Sequence, residues 1–417
     1  MSDRKTDIPS FTAVRLFLLA LFLLPCVSWA QDVAVSEENL RREVEWLAAP
    51  EREGRRPKSE GWAAARDHIR EAFRAVGLEP AGADGGFDQA VRMDPGPKEG
   101  TNLLGILRAP APVDEHVVLG AHYDHLGIDL ESGLPFHGAD DNASGVAALL
   151  EVARVLSADA GFRARMRRDI VFAAFDLEEQ GLSGSRYYVS HPSLPIDEAR
   201  GMVCLDMLGR SLLDQTSGAL IAFGAERSIG MRAALDRAGE ASGDTVWPFG
   251  TEYVGPRSDF VWFASREIPY VFLTSGPHRD YHRVGDTADG IDVPSLARHT
   301  RLAAALAADL ASSEKAPTWT GNQPDALEEA RAIAAMTERV LANADELEKE
   351  GKNHVSRVQL WLLRSTNRLA RSFAARGRVS EGERVVLITS IYSLVFGVVD
   401  DAPFSTMKAR LERLFGK

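Results

Sequence analysis

The alternation of short apolar runs with helical patterns constrains this chain more than any other feature. HVVLGA (116–121), DIVFAAF (169–175), GMVCLD (201–206), ALIAF (219–223) and PYVFL (269–273) each read as a strand. SGVAALLEVARVL (144–156) and VWFASRE (261–267) between them read as helices. Strands and helices in alternation imply a largely parallel sheet covered on both faces, a three-layer α/β/α domain. The segment from Leu40 to Val76 is expected to be helical, with Ala65, Ile69 and Phe73 on one face and a polar break at EREGRRPKSEG (51–61). A last helix, PSLARHTRLAAALAADLASS (294–313), closes this domain before the linker EKAPTWTGNQP (314–324). Beyond it, Leu327, Ile333, Met336, Val340 and Leu347 fall near helical spacing, as do Val358, Leu362, Leu369 and Phe373. These predict a C-terminal all-α bundle. The expected division is therefore a leader over 1–30, an α/β domain over 31–315 and a helical domain over 316–417, in accord with a length of 417 residues.

The leader follows from Arg4, Lys5 and Arg15 preceding the apolar run LFLLALFLLP (16–25), with small residues Ser28 and Ala30 before a cleavage point. The run is short for a membrane span of about 20 residues, so a cleaved secretory signal and an exported, periplasmic or extracellular protein are expected, without stable membrane insertion. Cys26 follows LLP and lacks the small residue that precedes a lipid-modified cysteine. Cleavage after Ala30 leaves a net charge of about −13, a surface that repels phosphate backbones and argues against nucleic-acid binding. It also leaves Cys204 alone, so no intrachain disulfide can form.

In an open parallel sheet the chemistry sits beyond the carboxyl ends of the strands. His122 and Asp124 follow VVLGA, Glu178 and Glu179 follow VFAAFDL, and Asp206 ends MVCL. Asp140 and Asp141 lie in GADDNASG just before a helix, and His282 in RDYHRVGDT after a strand. Each has an ordinary explanation: a histidine after a strand can be a hydrogen-bonded loop residue, DDNASG a helix cap, EEQG a solvated turn. Asp206 is harder to dismiss, because a carboxylate ending an apolar strand costs several kcal/mol unless a positive group meets it. Together, two histidines with several carboxylates and almost no cysteine form a donor set suited to zinc or a similar divalent ion. An odd number of carboxylates between two histidines suggests one carboxylate shared by two metals, a two-metal hydrolytic site.

Five motifs in order, GAHYDHLG (120–127), GADDNASGVAALLEVARVL (138–156), FAAFDLEEQGLSGSRYY (172–188), CLDMLGR (204–210) and DYHRVGDT (280–287), closely resemble those of the co-catalytic zinc aminopeptidase family. That family contains the secreted bacterial leucyl aminopeptidases, glutamate carboxypeptidase, glutaminyl cyclase and the transferrin receptor ectodomain. The likeness spans residues 40 to 313, including EGRRPKSEGWAAARDHIREAF (53–73). It implies a zinc-exopeptidase fold with a mostly parallel mixed sheet and two zinc ions, with cobalt or manganese as alternatives. His122 and Asp206 then resemble the terminal ligands of one zinc, Glu179 and His282 those of the other, and Asp140 the bridge. Glu178 resembles the general base acting on a metal-bridging hydroxide, and Asp124 the carboxylate that orients His122. The family's non-proline cis peptide would here join Asp140 and Asp141.

Phe260 in RSDFVWF stands where many relatives have histidine, a difference that bears on the substrate pocket. His125, His137 and His278 lie near the motifs; no direct role is expected of them, and substrate contact is the alternative. The function implied is an exported metallo-aminopeptidase acting on peptides with a free N-terminus. Two rivals are a single-zinc glutaminyl cyclase and a peptidase-like module that only binds. Side-chain preference, native metal, the role of the C-terminal helices and the oligomeric state stay open at this level.

Overall fold

The computed structural model describes residues 35–93, 98–216, 218–322, 324–349, 355 and 357–399; the expected leader over 1–30 lies outside them. The strands are β1 (Glu79–Pro80), β2 (Asp88–Met93), β3 (Lys98–Leu107), β4 (His116–His122), β5 (Asp169–Phe175) and β6 (Ala199–Leu205). They continue with β7 (Ala219–Phe223), β8 (Ser228–Ile229), β9 (Thr245–Phe249), β10 (Tyr270–Thr274) and β11 (Thr318–Trp319). The helices are α1 (Glu37–Leu47), α2 (Glu60–Ala75), α3 (Gly145–Ala158), α4 (Ala160–Arg163), α5 (Ser183–Ser190) and α6 (Met231–Ser242). After these come α7 (Phe260–Ala264), α8 (Val293–Ser312), α9 (Ala326–Lys349), α10 (Arg357–Arg376) and α11 (Glu381–Val399).

The main sheet runs β1-β3-β5-β4-β6-β10-β7-β9, with β2 on β3, while β8 and β11 form a separate ribbon. Its centre, β5-β4-β6-β10, is parallel. The margins are not: β3 meets β5, and β7 meets β10, antiparallel. Strand β4 is buried along its whole length and alternates between two cores. Val117, Leu119 and Ala121 face the layer of α1, α2, α3, α6 and α8, whereas Val118 faces the layer of α5, α7, α9, α10 and α11. The chain leaves β4 to one side for β5, then returns across it to β6, which creates a crevice at the carboxyl end of β4. That placement is what brings distant sequence motifs together.

The sequence does not mark β2 and β3, because DQAVRM and KEGTNLLGIL lack the uninterrupted apolar run of the central strands. Helix starts are better signposted. Ser59 Oγ accepts the Trp62 amide at the head of α2, and Asp292 accepts the Ser295 amide at the head of α8. Along α8, Leu296, Leu302, Leu306 and Leu310 are all buried, each stabilising by about 1.5–3 kcal/mol relative to exposure.

The C-terminal helices form, but one face differs from expectation. On α10 the buried residues are Leu360, Leu363, Thr366, Asn367, Ala370 and Phe373, while Val358 is 67% exposed and Leu369 37% exposed. The reason is a polar contact inside the bundle. Asn367 Nδ2 donates to Ala334 O and Thr337 Oγ1 of α9, each at 3.0 Å, so the face that carries Asn367 is the one turned to α9.

Candidate metal centre

Four adjacent strand ends supply the site. His122 closes β4, Glu178 and Glu179 follow β5, Asp206 follows β6, and His282 lies in the loop after β10. The fifth contributor is the loop before α3, and here the structure corrects the sequence reading. Asp141, not Asp140, lies between the two histidine and carboxylate groups.

Asp141 divides its oxygens between two sides. Oδ1 is 3.3 Å from His122 Nε2, which in turn is 3.5 Å from Asp206 Oδ1. Oδ2 is 3.0 Å from His282 Nε2, itself 3.3 Å from Glu179 Oε2. Asp140 is buried but turned away: Oδ1 accepts the Gly209 amide at 2.6 Å and Ser144 Oγ at 2.9 Å. Asp286 receives the amides of both Asp140 and Asp141, which locks this orientation. The non-proline cis peptide likewise joins Asp141 and Asn142, one bond later than expected. Asn142 pins the turn, donating to Leu205 O and accepting the amides of Gly145 and Met207.

Each supporting residue has a geometric reason. Asp124 Oδ1 is 3.7 Å from His122 Nδ1 and accepts the Glu178 amide at 3.0 Å, so one carboxylate orients two site segments. Ser258 Oγ donates to Asp206 Oδ2 at 2.8 Å. His125 proves to be part of the cluster: its Nδ1 is 2.7 Å from Glu179 Oε1 and 4.0 Å from Asp141 Oδ2. His137 and His278 stand aside, the first bonded to Ala48 O and the second 3.5 Å from Asp140 Oδ2. Phe260 does not face the cavity beside the site; it stacks on Tyr270 and Phe272, of which Phe272 lines that cavity.

Sequence reasoning missed Arg55, which it read as part of a polar break. The guanidinium is fully buried and donates to the carbonyls of Tyr123, Leu47, His137 and Gly138 at 2.8 to 2.9 Å. It thereby ties the β4 exit to the loop that carries Asp141. Burial lowers its pKa to about 10 against the raising effect of Asp141 and Asp286. Gly138 is required beside it: φ is +57°, and a Cβ there would lie 2.2 Å from Asp141 O. Arg55→Met should cost about 3–5 kcal/mol by leaving these acceptors unpaired and the neighbouring carboxylates uncompensated. Urea unfolding of the variant measures this, and a loss below about 1 kcal/mol would refute the clamp.

The electrostatics describe a site short of positive charge. Burial opposes protonation of His122, but Glu178 and Asp206 outweigh it and raise its pKa well above the usual value. Burial, reinforced by Glu179 and Asp206 against His122, raises Glu178 well above the carboxylate range. Burial would raise Asp141 too, yet His122 and His282 hold it well below. Asp141 Oδ2 is buried without a well-aligned hydrogen-bond donor although His282 Nε2 is so close. Close approach without hydrogen-bond geometry is how metal ligands sit around an ion. Two groups of donor atoms fit this, His122 with Asp141 and Asp206, and His125 with Asp141 and Glu179.

Comparison with known proteins bears on the family and the fold. Residues 102–307 match peptidase family M28. Leucine aminopeptidase 1 of Coccidioides posadasii (strain C735) is 28% identical over 218 residues, 50% of this chain and 56% of that protein. The chain thus spans about half the length of the curated relatives it matches. Among solved structures, a Bacillus subtilis zinc aminopeptidase aligns at TM-score 0.55 with 18% identity, covering 69% of this chain and 98% of its own. Porphyromonas gingivalis glutaminyl cyclase aligns at 0.54 with 20% identity, covering 66% and 98%. These structural likenesses establish a shared α/β/α fold.

Proposed function

We propose that this chain, whose residues 102–307 match peptidase family M28, is an exported two-zinc aminopeptidase that removes the N-terminal residue of peptides. The observation that carries the proposal is Asp141, whose two oxygens face two separate groups of histidine and carboxylate. His122, Asp206 and Asp141 would hold one ion, and Glu179, His282 and Asp141 the other. Bound there, two zinc ions supply Lewis acidity that polarises the peptide carbonyl and acidifies the attacking water.

The remaining steps belong to the protein. Glu178 lines the cavity together with His122, Asp141 and Asp206 and directly precedes Glu179 in the chain, so it would take the proton of the attacking water and return it to the departing amine. Asp124 holds both His122 and the Glu178 backbone, which fixes base and ligand relative to each other. The acidic residues around the site favour a substrate with a free, cationic N-terminus over an N-blocked one.

Metal analysis of the purified mature protein, beginning near Gln31, is expected to find two zinc equivalents, with chelators abolishing and zinc restoring hydrolysis of free-amine peptides but not of N-acetylated ones. One equivalent combined with full cyclisation of N-terminal glutamine would support the glutaminyl cyclase reading instead. Two equivalents with no action on any peptide would support a binding module. Mass spectrometry of the exported protein tests the leader, and an intact Met1 in the membrane fraction would overturn it.

A further inference from the structure

The cavity that opens beside the metal centre is not enclosed by the α/β unit alone. It is lined by His122, Asp141, Glu178 and His282 of the metal centre and by the apolar Phe223, Phe249 and Phe272 of the sheet. The C-terminal helices add to this lining through Met336 of α9 and Ile391 of α11. Both side chains are almost wholly buried, and both lie beyond residue 307, where the family match ends.

These helices are anchored to the pocket by buried charge. Glu329 of α9, 2% exposed, accepts the Gly250 amide at 2.9 Å and Arg384 Nε of α11 at 2.6 Å. Arg384 also reaches Glu252, and Tyr392 of α11 meets Arg257 Nη2 at 3.2 Å. The segment 250–257 held in this way contributes Tyr253, Val254 and Arg257 to the same cavity. A one-turn slip of either helix would break an ion pair with a buried carboxylate, so the wall is held in register rather than merely in contact.

We infer that α9 and α11 complete the pocket for the side chain of the substrate's N-terminal residue, and that Met336 and Ile391 set its depth for large apolar residues. This inference rests on the aminopeptidase reading. Wild-type protein is expected to hydrolyse phenylalanyl and leucyl anilides with kcat/KM at least about tenfold above alanyl anilide, the discrimination that a few methylenes give in an apolar pocket. Met336→Trp takes up cavity space, so the phenylalanyl-to-alanyl ratio should fall at least about tenfold with zinc content unchanged. Competition by free phenylalanine and free alanine should shift in the same sense, an equilibrium readout independent of turnover. If Met336→Trp does not fold, Met336→Ala carries the test, with the phenylalanyl-to-leucyl ratio rising at least about threefold. Equal changes on every substrate, or none, would overturn the inference while leaving the peptidase intact. A wild-type protein that cleaves no anilide would instead remove the functional reading on which it stands.

Discussion

Asp141→Ala should strip the protein of metal at both positions and abolish hydrolysis, whereas Asp140→Asn, one residue away, should leave both ions in place. Among the described residues, Asp141 is the carboxylate that faces His122 with one oxygen and His282 with the other. On the two-zinc reading its removal takes a donor from each ion at once. Changes to groups that only orient a metal ligand already cost about 10–100-fold, so loss of a shared ligand should exceed about 100-fold in kcat/KM. Asparagine at 140 keeps the oxygen that accepts Gly209 N and Ser144 Oγ, and it removes the repulsion between Asp140 and Asp286. Zinc content of the two variants decides the matter. Loss of metal from Asp140→Asn with retention in Asp141→Ala would return the bridge to Asp140.

A second pair of neighbours should separate base from ligand. Glu178→Gln preserves shape and packing but removes the proton acceptor, so turnover should drop about 10²–10⁴-fold with near-normal zinc. On the two-zinc reading Glu179→Ala takes a donor from one ion, and it also removes the nearest carboxylate of His125 and one of the two that face His282. That variant should hold about one equivalent less zinc and lose activity with it. Full peptidase activity in Glu178→Gln would disprove the assigned role.

His125 shows where local reading stops. In GAHYDHLG it stands three residues after His122, and nothing in that spacing tells which way its ring points. The fold turns it toward Glu179, so it meets the opposite side of the site from His122. Phe260 shows the same limit from the other direction. Its difference from relatives suggests a changed pocket, yet it lies behind Phe272 and reaches the cavity only through that ring.

Much was determined by the sequence alone: the central strands, the helices that cover them, and His122, Glu178, Glu179, Asp206 and His282 at strand ends. These are legible because periodicity and apolar runs are local, and because a parallel sheet exposes its carboxyl ends on one edge. Only the tertiary structure decided which of two adjacent aspartates faces the histidines, since that choice depends on Asp286, Gly209 and Leu205 capturing the loop from distant segments. It also decided that Arg55 is a buried clamp rather than a solvated charge, and that helices beyond the family segment wall the pocket. Partners far apart in the chain leave no periodic trace in it, so orientation and closure emerge only when the layers pack.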